Sequence, residues 1–257
     1  MNSFLGLIKK EMIVSKNWIL TWLITLTLIL TSFLILALRN DTHAGIIYYI
    51  ILIAFFGMHF FFIPLSMYSF LHVEGKTMLW LYNPNSSNKL LLAKLLVSTI
   101  YLVISIVVIG IFTLISLAMF GKPNLETSFS PSLVFYGIAY FFISSLSVAI
   151  LVTFLWTVYH SLSKFPRLKR VRWLAVILVF IGLNLIDYFL FEHTQLIKNH
   201  FFNITFEMNS QIYFEIEGEK FNVDSIPFHV GTELYHLIKT VLLYIISCVL
   251  LDKKVEV

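Results

Sequence analysis

The chain has 257 residues, one cysteine, six prolines and little charge, with only 12% Asp, Glu, Lys and Arg. A lone Cys248 excludes an intrachain disulfide and a thiolate zinc site. The charged share is about half that of an ordinary soluble domain. Disorder is excluded as well, because it needs much charge and few apolar residues. There is no His-Glu-x-x-His motif and no Gly-x-Ser-x-Gly elbow. Gly75-Lys76-Thr77 looks like the end of a phosphate-binding loop. That motif needs a glycine five residues earlier, and Phe70 stands there. The chain therefore has no ATP cradle of its own. What it has in abundance is hydrocarbon: 59% hydrophobic residues and 25 Phe, with a mean hydropathy of +0.88. No soluble core hides that much apolar surface, so the solvent implied is a bilayer.

A spanning helix takes roughly 20 mostly apolar residues. Six stretches qualify: Trp18–Leu38, Ile46–Leu71, Leu95–Phe120, Ser132–Tyr159, Trp173–Phe191 and Thr232–Leu251. The first run is too long for a cleaved signal peptide and has no small-x-small site before Arg39. Six spans put both termini on one side. The loops on that side, with the two tails, carry 13 Lys and Arg, against four (Arg39, Lys122, Lys198 and Lys220) on the other. The positive-inside rule makes the basic side cytoplasmic. Trp18, Trp22, Trp80, Trp156 and Trp173 fall near the same interface, where indole rings are favoured. The expected fold is an all-α membrane protein of the cell membrane with six transmembrane helices. An N-terminal interfacial helix over residues 1–17 and a small extracellular β-meander complete it.

The arm before the first span places Phe4, Leu5, Ile8 and Met12 at helical spacing, with Lys9, Lys10 and Lys16 largely off that face. Such a segment lies on the membrane surface and snorkels its lysines. Loop 72–94 reads as a short helix over Val73–Tyr82, stopped at Asn83-Pro84. Ser86 or Ser87 then caps the helix that leads into the third span. Loop 160–172 is a basic run suited to anionic lipid. In the outer segment 192–231, apolar residues alternate with polar ones from Phe202 to Asn209 and again through Ile212, Phe214 and Ile216. Period two means strand. Turns at Asn209–Gln211 and Gly218-Glu219 would give three strands, with Ile216 opposite Phe221 and Phe214 opposite Val223. Six acids against two lysines make this cap acidic. It is either a solubilised face or an attractor of cations.

Ionisable groups inside a span cost roughly +2.5 to 3.5 kcal/mol on insertion scales. Asp187 and Lys239 lie at nearly matched depth in the last two spans and form a candidate ion pair, with Asn184 one turn away. The pair would serve as a clamp or as a substrate contact. His59 sits mid-span beside Gly57 and Pro64, and reads as a packed, hydrogen-bonded side chain or as part of a substrate path with Asn184. His193 and His200, and His229 and His236, are seven apart. That spacing does not amount to a metal site.

The order of surface helix, two spans, inner elbow and four further spans resembles the membrane subunit of ABC-2 type transporters. The local likeness runs through Glu74-Gly75, Thr77, Leu79 to Leu81, Pro84, Ser86 or Ser87, and Lys94. Members of that family carry a similar Glu…Gly-Thr…Leu-Leu…Pro-x-Ser…Lys stretch between spans two and three. The resemblance implies that Glu74, Gly75, Thr77, Trp80, Pro84 and Lys94 belong to a coupling helix that docks into a separate ABC ATPase subunit. It implies that the first helix is the connecting helix and that permeases pair as homo- or heterodimers. ATP and Mg would sit on the partner, leaving this chain without cofactor or catalytic residue. The family often has re-entrant helices between spans five and six, for which only Glu192–His200 is available here.

Within that family the short, Phe-rich chain resembles permeases of staphylococcal exporters of phenol-soluble modulins. That implies export of amphipathic peptides by alternating access. Two other readings stand beside it: a peptide immunity or sensor protein that moves nothing, and a permease for a lipid, drug or polysaccharide. The basic run 160–172 leaves a nucleic acid or an acidic partner as its lesser reading, and no nucleic acid is counted among the expected partners.

Overall fold

The computed structural model describes residues 3–39, 44–77, 85–121, 131–164, 170–190, 205–216 and 219–254. In order these form α1 (Ser3–Arg39), α2 (Ala44–Met58), a 3-10 turn at His59–Phe61, α3 (Phe62–Thr77) and α4 (Ser87–Phe120). Then come α5 (Pro131–Ser161), a 3-10 turn at Leu162–Lys164, α6 (Arg172–Tyr188), β1 (Thr205–Ile216), β2 (Glu219–His229) and α7 (Val230–Lys254). Residues Met1–Leu125 and Glu126–Val257 make two compact units.

Among the described residues, five helical stretches are long and apolar enough to cross a membrane: Ser3–Arg39, Gly45–Lys76, Ser87–Phe120, Val134–Ser161 and Val230–Lys253. The stretch expected as the fifth span, Trp173–Phe191, is α-helical only from Arg172 to Tyr188, 17 residues. It continues as a π turn over Phe189 and Leu190, about 28 Å in all from Arg172, up to where the described residues of this stretch end.

Burial in these units differs from that of a water-soluble protein: hydroxyls are buried beside apolar side chains, and many large apolar ones are exposed. Ser15, Ser66, Ser98, Ser105, Ser116, Ser145, Thr153, Thr157 and Ser247 are buried, while Ile53, Leu114 and Phe135 are about two-thirds exposed. Lipid supplies no hydrophobic drive between helices, so small and polar residues share the helix contacts with Leu, Ile and Phe, while many large apolar side chains are left facing outward. Most of the buried hydroxyls donate to the carbonyl three or four residues back, as Ser247 does to Leu243 and Thr153 to Ala149.

In the first unit α1, the α2–α3 stretch and α4 pack together. Leu26, Leu30, Leu34 and Ala37 of α1 recur every three to four residues and meet Tyr48 and Leu52 of α2 and Ile109 and Phe112 of α4. Gly45 lets α2 approach α4, since a Cβ there would lie 3.2 Å from Phe120. α4 ends at Gly121, whose φ of 76° is the left-handed region that glycine enters freely. Its carbonyl accepts from the Tyr49 hydroxyl at 2.7 Å. In the second unit α5 packs on α6 and α7.

Two local expectations in the first unit are corrected. The arm does not form a separate surface helix over residues 1–17, because α1 runs unbroken from Ser3 through the first span. No proline or glycine stands near Trp18 to stop it. The elbow expected over Val73–Tyr82 is, as far as Thr77, the last turn of the second span's own helix; residues 78–84, with Trp80 and Pro84, lie outside the described residues. α4 then starts after Ser86, whose ψ of 148° is that of an N-cap, without a side-chain capping bond.

The three-stranded meander is instead a two-stranded antiparallel hairpin. Asn209–Gln211 is no turn; it falls at a register shift inside one long strand. Phe214 pairs with Phe221 and Ile212 with Val223, two residues away from the expected register. A shift of two keeps the period-two parity, so apolar positions still oppose apolar ones. Lys220 opposes Glu215 in place of Glu217. Met208 and Phe206 pair with Ile226 and Phe228, so β2 takes the place reserved for a third strand.

Candidate functional site

Three helices of the first unit each bring a charge onto a packed face. On α1, Leu7, Glu11, Ser15 and Ile19 are buried at four-residue spacing, which puts Glu11 on the inward stripe. On α4 the buried set includes Leu91, Lys94, Ser98, Tyr101 and Ser105. On α3 it includes Met67, Phe70, Leu71 and Glu74.

Lys94 Nζ donates to Glu11 Oε2 at 2.7 Å and lies 3.1 Å from Glu74 Oε1. Lys10 Nζ donates to the same Glu74 oxygen at 3.0 Å and faces Glu11 Oε1 at 3.3 Å. Lys94 is 0% exposed and Glu11 3%, while Lys10 stays about one-third open. The phenyl ring of Phe70 lies 5.9 Å from the Lys94 ammonium. Two ammonium groups against two carboxylates leave no net charge, which makes burial tolerable. Glu74 and Glu11, both within ion-pair distance, favour the charged form of Lys10. A pocket of about 80 Å³ opens beside the cluster, walled by Val14 and Trp18 of α1 and Phe70 and Val73 of α3. A turn further along α1, the Ser15 and Tyr101 hydroxyls meet at 2.9 Å, tying α1 to α4 again.

Of the residues singled out between spans two and three, the fold thus brings Glu74 and Lys94 together. It does so through Glu11 and Lys10, which sequence reasoning passed over as partners. Glu74 is buried within the cluster, and Lys94 is a core residue that had been counted among loop charges. Gly75 is half-buried on the last turn of α3, and Thr77 ends that helix. A usable signal for Glu11 was present: it is the only acid before Asp41, and it lies in register with Leu7 and Ser15.

His59 is fully buried. Its Nδ1 lies 2.7 Å from the Phe55 carbonyl and its Nε2 2.7 Å from Ser105 Oγ, which also receives Trp22 Nε1–H at 2.9 Å. It is a packed, fully bonded histidine, as one of its two expected readings had it.

In the second unit, Lys239 donates to Asp187 Oδ2, and the Tyr235 hydroxyl donates to Oδ1 at 2.8 Å. The pair expected from matched depth is present. Asn184 does not join it, because its Nδ2 donates to the Phe180 carbonyl one turn back at 2.7 Å. Tyr235, one turn before Lys239, is the third member. Among the described residues no three or more of His, Cys, Asp and Glu gather to hold a metal ion; His193 and His200 lie outside them.

This is a multi-pass helical membrane protein with a buried four-charge cluster in its first unit and a half-buried ion pair in its second. No family model and no solved structure matches the chain. It is 31% identical over 265 aligned positions, spanning the whole of both chains, to the uncharacterized protein YhcE of Bacillus subtilis (strain 168). The chain belongs to the family of that protein.

Proposed function

We propose that the chain is the membrane-spanning permease subunit of an ATP-driven exporter of the ABC-2 type, working with a separate ATPase subunit and a second permease copy. In this reading α6, with the residues after Tyr188, is a sixth span. Both termini are cytoplasmic, the hairpin lies outside the cell membrane, and the cargo is amphipathic peptide. ATP and Mg belong to the partner, and this chain catalyses nothing.

The observation that carries the reading is the four-charge cluster. Glu74 stands just before loop 78–84 and Lys94 shortly after it, and both are tied to Glu11 of α1. A push on the loop is therefore passed to α1, α3 and α4 together, which is what a motor docked at that loop requires. At the described edge of this segment Lys76 is exposed, as are His72 and Val73 one turn back, while buried Glu74 braces the turn from inside.

The test is copurification of the tagged chain from its native host, followed by an ATPase assay with lysine-rich amphipathic helical peptides. The reading expects a soluble partner carrying a complete phosphate-binding loop, and peptide-stimulated turnover that Lys76→Glu lowers several-fold while the chain still inserts. Full coupling in Lys76→Glu, or nucleotide turnover by the chain alone, contradicts it.

A further inference from the structure

We propose that His59 is a proton-sensitive latch on a hinge in the second span. The argument does not rest on the transport reading. The helix through this span is interrupted midway by the 3-10 turn His59–Phe61, and Pro64 just beyond has no N–H to give to the preceding turn. A short 3-10 stretch inside a long helix is where such a helix bends. The latch sits on that turn and joins the three packed elements of the first unit.

The bonding fixes the tautomer. The Phe55 carbonyl only accepts, so Nδ1 carries the proton and donates to it at 2.7 Å. Nε2 is then an acceptor, filled by the Ser105 hydroxyl at 2.7 Å. Ser105 Oγ in turn accepts Trp22 Nε1–H at 2.9 Å. The chain Trp22 to Ser105 to His59 to Phe55 is complete for the neutral imidazole, every donor meeting an acceptor.

A proton added at Nε2 reverses one link. Ser105 Oγ would face two N–H donors, and its own proton would have to leave the ring. The new positive charge would have no counter-ion. The rings around it are Trp22, centroid 5.9 Å away, and Phe62, stacked at 6.0 Å. No acid on the packed elements is near: Glu11 on α1 is about 16 Å along its helix from the latch and Glu74 on α3 about 22 Å. Of the lysines, Lys94 is about 16 Å and Lys10 about 18 Å away, and Lys16, about 9 Å along α1, is exposed and of the same sign as imidazolium. Glu11, Glu74, Lys10 and Lys94 already neutralise one another. Tyr101, one turn before Ser105, is engaged with Ser15 and Met12. Imidazolium thus breaks the link that ties the turn to α4 and, through Ser105, to α1, so acidification releases the hinge.

The test places spin labels on cysteines at Ile47→Cys and Tyr68→Cys, both exposed and on either side of the break, in a Cys248→Ser background in lipid nanodiscs. The expected result is a distance distribution that moves by several Å, or gains a second population, between pH 7.5 and pH 5. It stays fixed in His59→Gln, which keeps a donor and an acceptor but does not titrate. A wild-type distribution that is the same at both pH values, or a shift that persists in His59→Gln, overturns the proposal. Should His59→Gln not fold, a single-tryptophan protein keeping only Trp22 decides, since imidazolium quenches a neighbouring indole. Its emission falls with the same midpoint as the distance change if the latch exists, and is flat if it does not.

Discussion

Lys94→Met removes the ammonium that two carboxylates share. Lys94 is 0% exposed, with Glu11 Oε2 at 2.7 Å and Glu74 Oε1 at 3.1 Å. Without it, Lys10 faces both carboxylates alone, and one negative charge is stranded where water hardly reaches. Breaking a buried pair from one side costs about 3–5 kcal/mol, most of it the penalty on the abandoned partner. For a unit of this size that lowers the melting midpoint by roughly 10–20 °C. The companion change Glu11→Gln keeps the shape and removes the stranded charge, leaving Lys10 and Glu74 as one pair at 3.0 Å. The double variant Lys94→Met/Glu11→Gln is therefore expected to be more stable than Lys94→Met alone, with a coupling of about 1–3 kcal/mol. The assay is the fraction of monodisperse protein after heating in detergent, read by size exclusion for the wild type, both single variants and the double. Simple addition of the two single losses would refute the buried-cluster argument.

Two further outcomes follow from the same reasoning. Lys239→Met alone is expected to lower yield and thermal stability more than Lys239→Met with Asp187→Leu. Tyr235→Phe is expected to cost about 1.5–3 kcal/mol, the size of one hydrogen bond to a charged acceptor; additive losses on heating in the first case, or no loss in the second, go against the triad. Gly45→Ala is expected to be tolerated, because the Phe120 side chain 3.2 Å away can give a little, whereas Gly45→Ile overpacks the α2–α4 contact by about 1–3 kcal/mol, checked by the same heating assay.

The membrane character and most helix positions were legible because hydrocarbon thickness fixes the length of an apolar run. Helix ends were less legible. The boundary at Trp18 was placed where polarity changes, but the backbone has no reason to stop there, and α1 runs through. Strand parity in the hairpin was legible because the side-chain period is two. Register was not, because every shift by two residues keeps apolar opposite apolar and only the turn decides. The Asp187–Lys239 pair could be read from depth alone, since each charge needs an opposite one in lipid. Asn184 was misjudged because a polar side chain on a helix can satisfy itself on the carbonyl one turn back. Glu11 and Lys10 were passed over because an N-terminal arm rich in lysine reads as surface. Burial there depends on α3 and α4 arriving at the same height, which no local pattern reveals.

The central claim is that this chain is a conduit driven by a different molecule through the loop that follows Glu74. The most direct measurement is ATP hydrolysis and peptide efflux in proteoliposomes, with the purified chain alone, with the copurified ATPase, and with Lys76→Glu. The account predicts no turnover by the chain alone, peptide-dependent turnover and efflux in the complex, and loss of both in the variant. Turnover by the isolated chain, or a complex whose efflux is indifferent to Lys76→Glu, would contradict it.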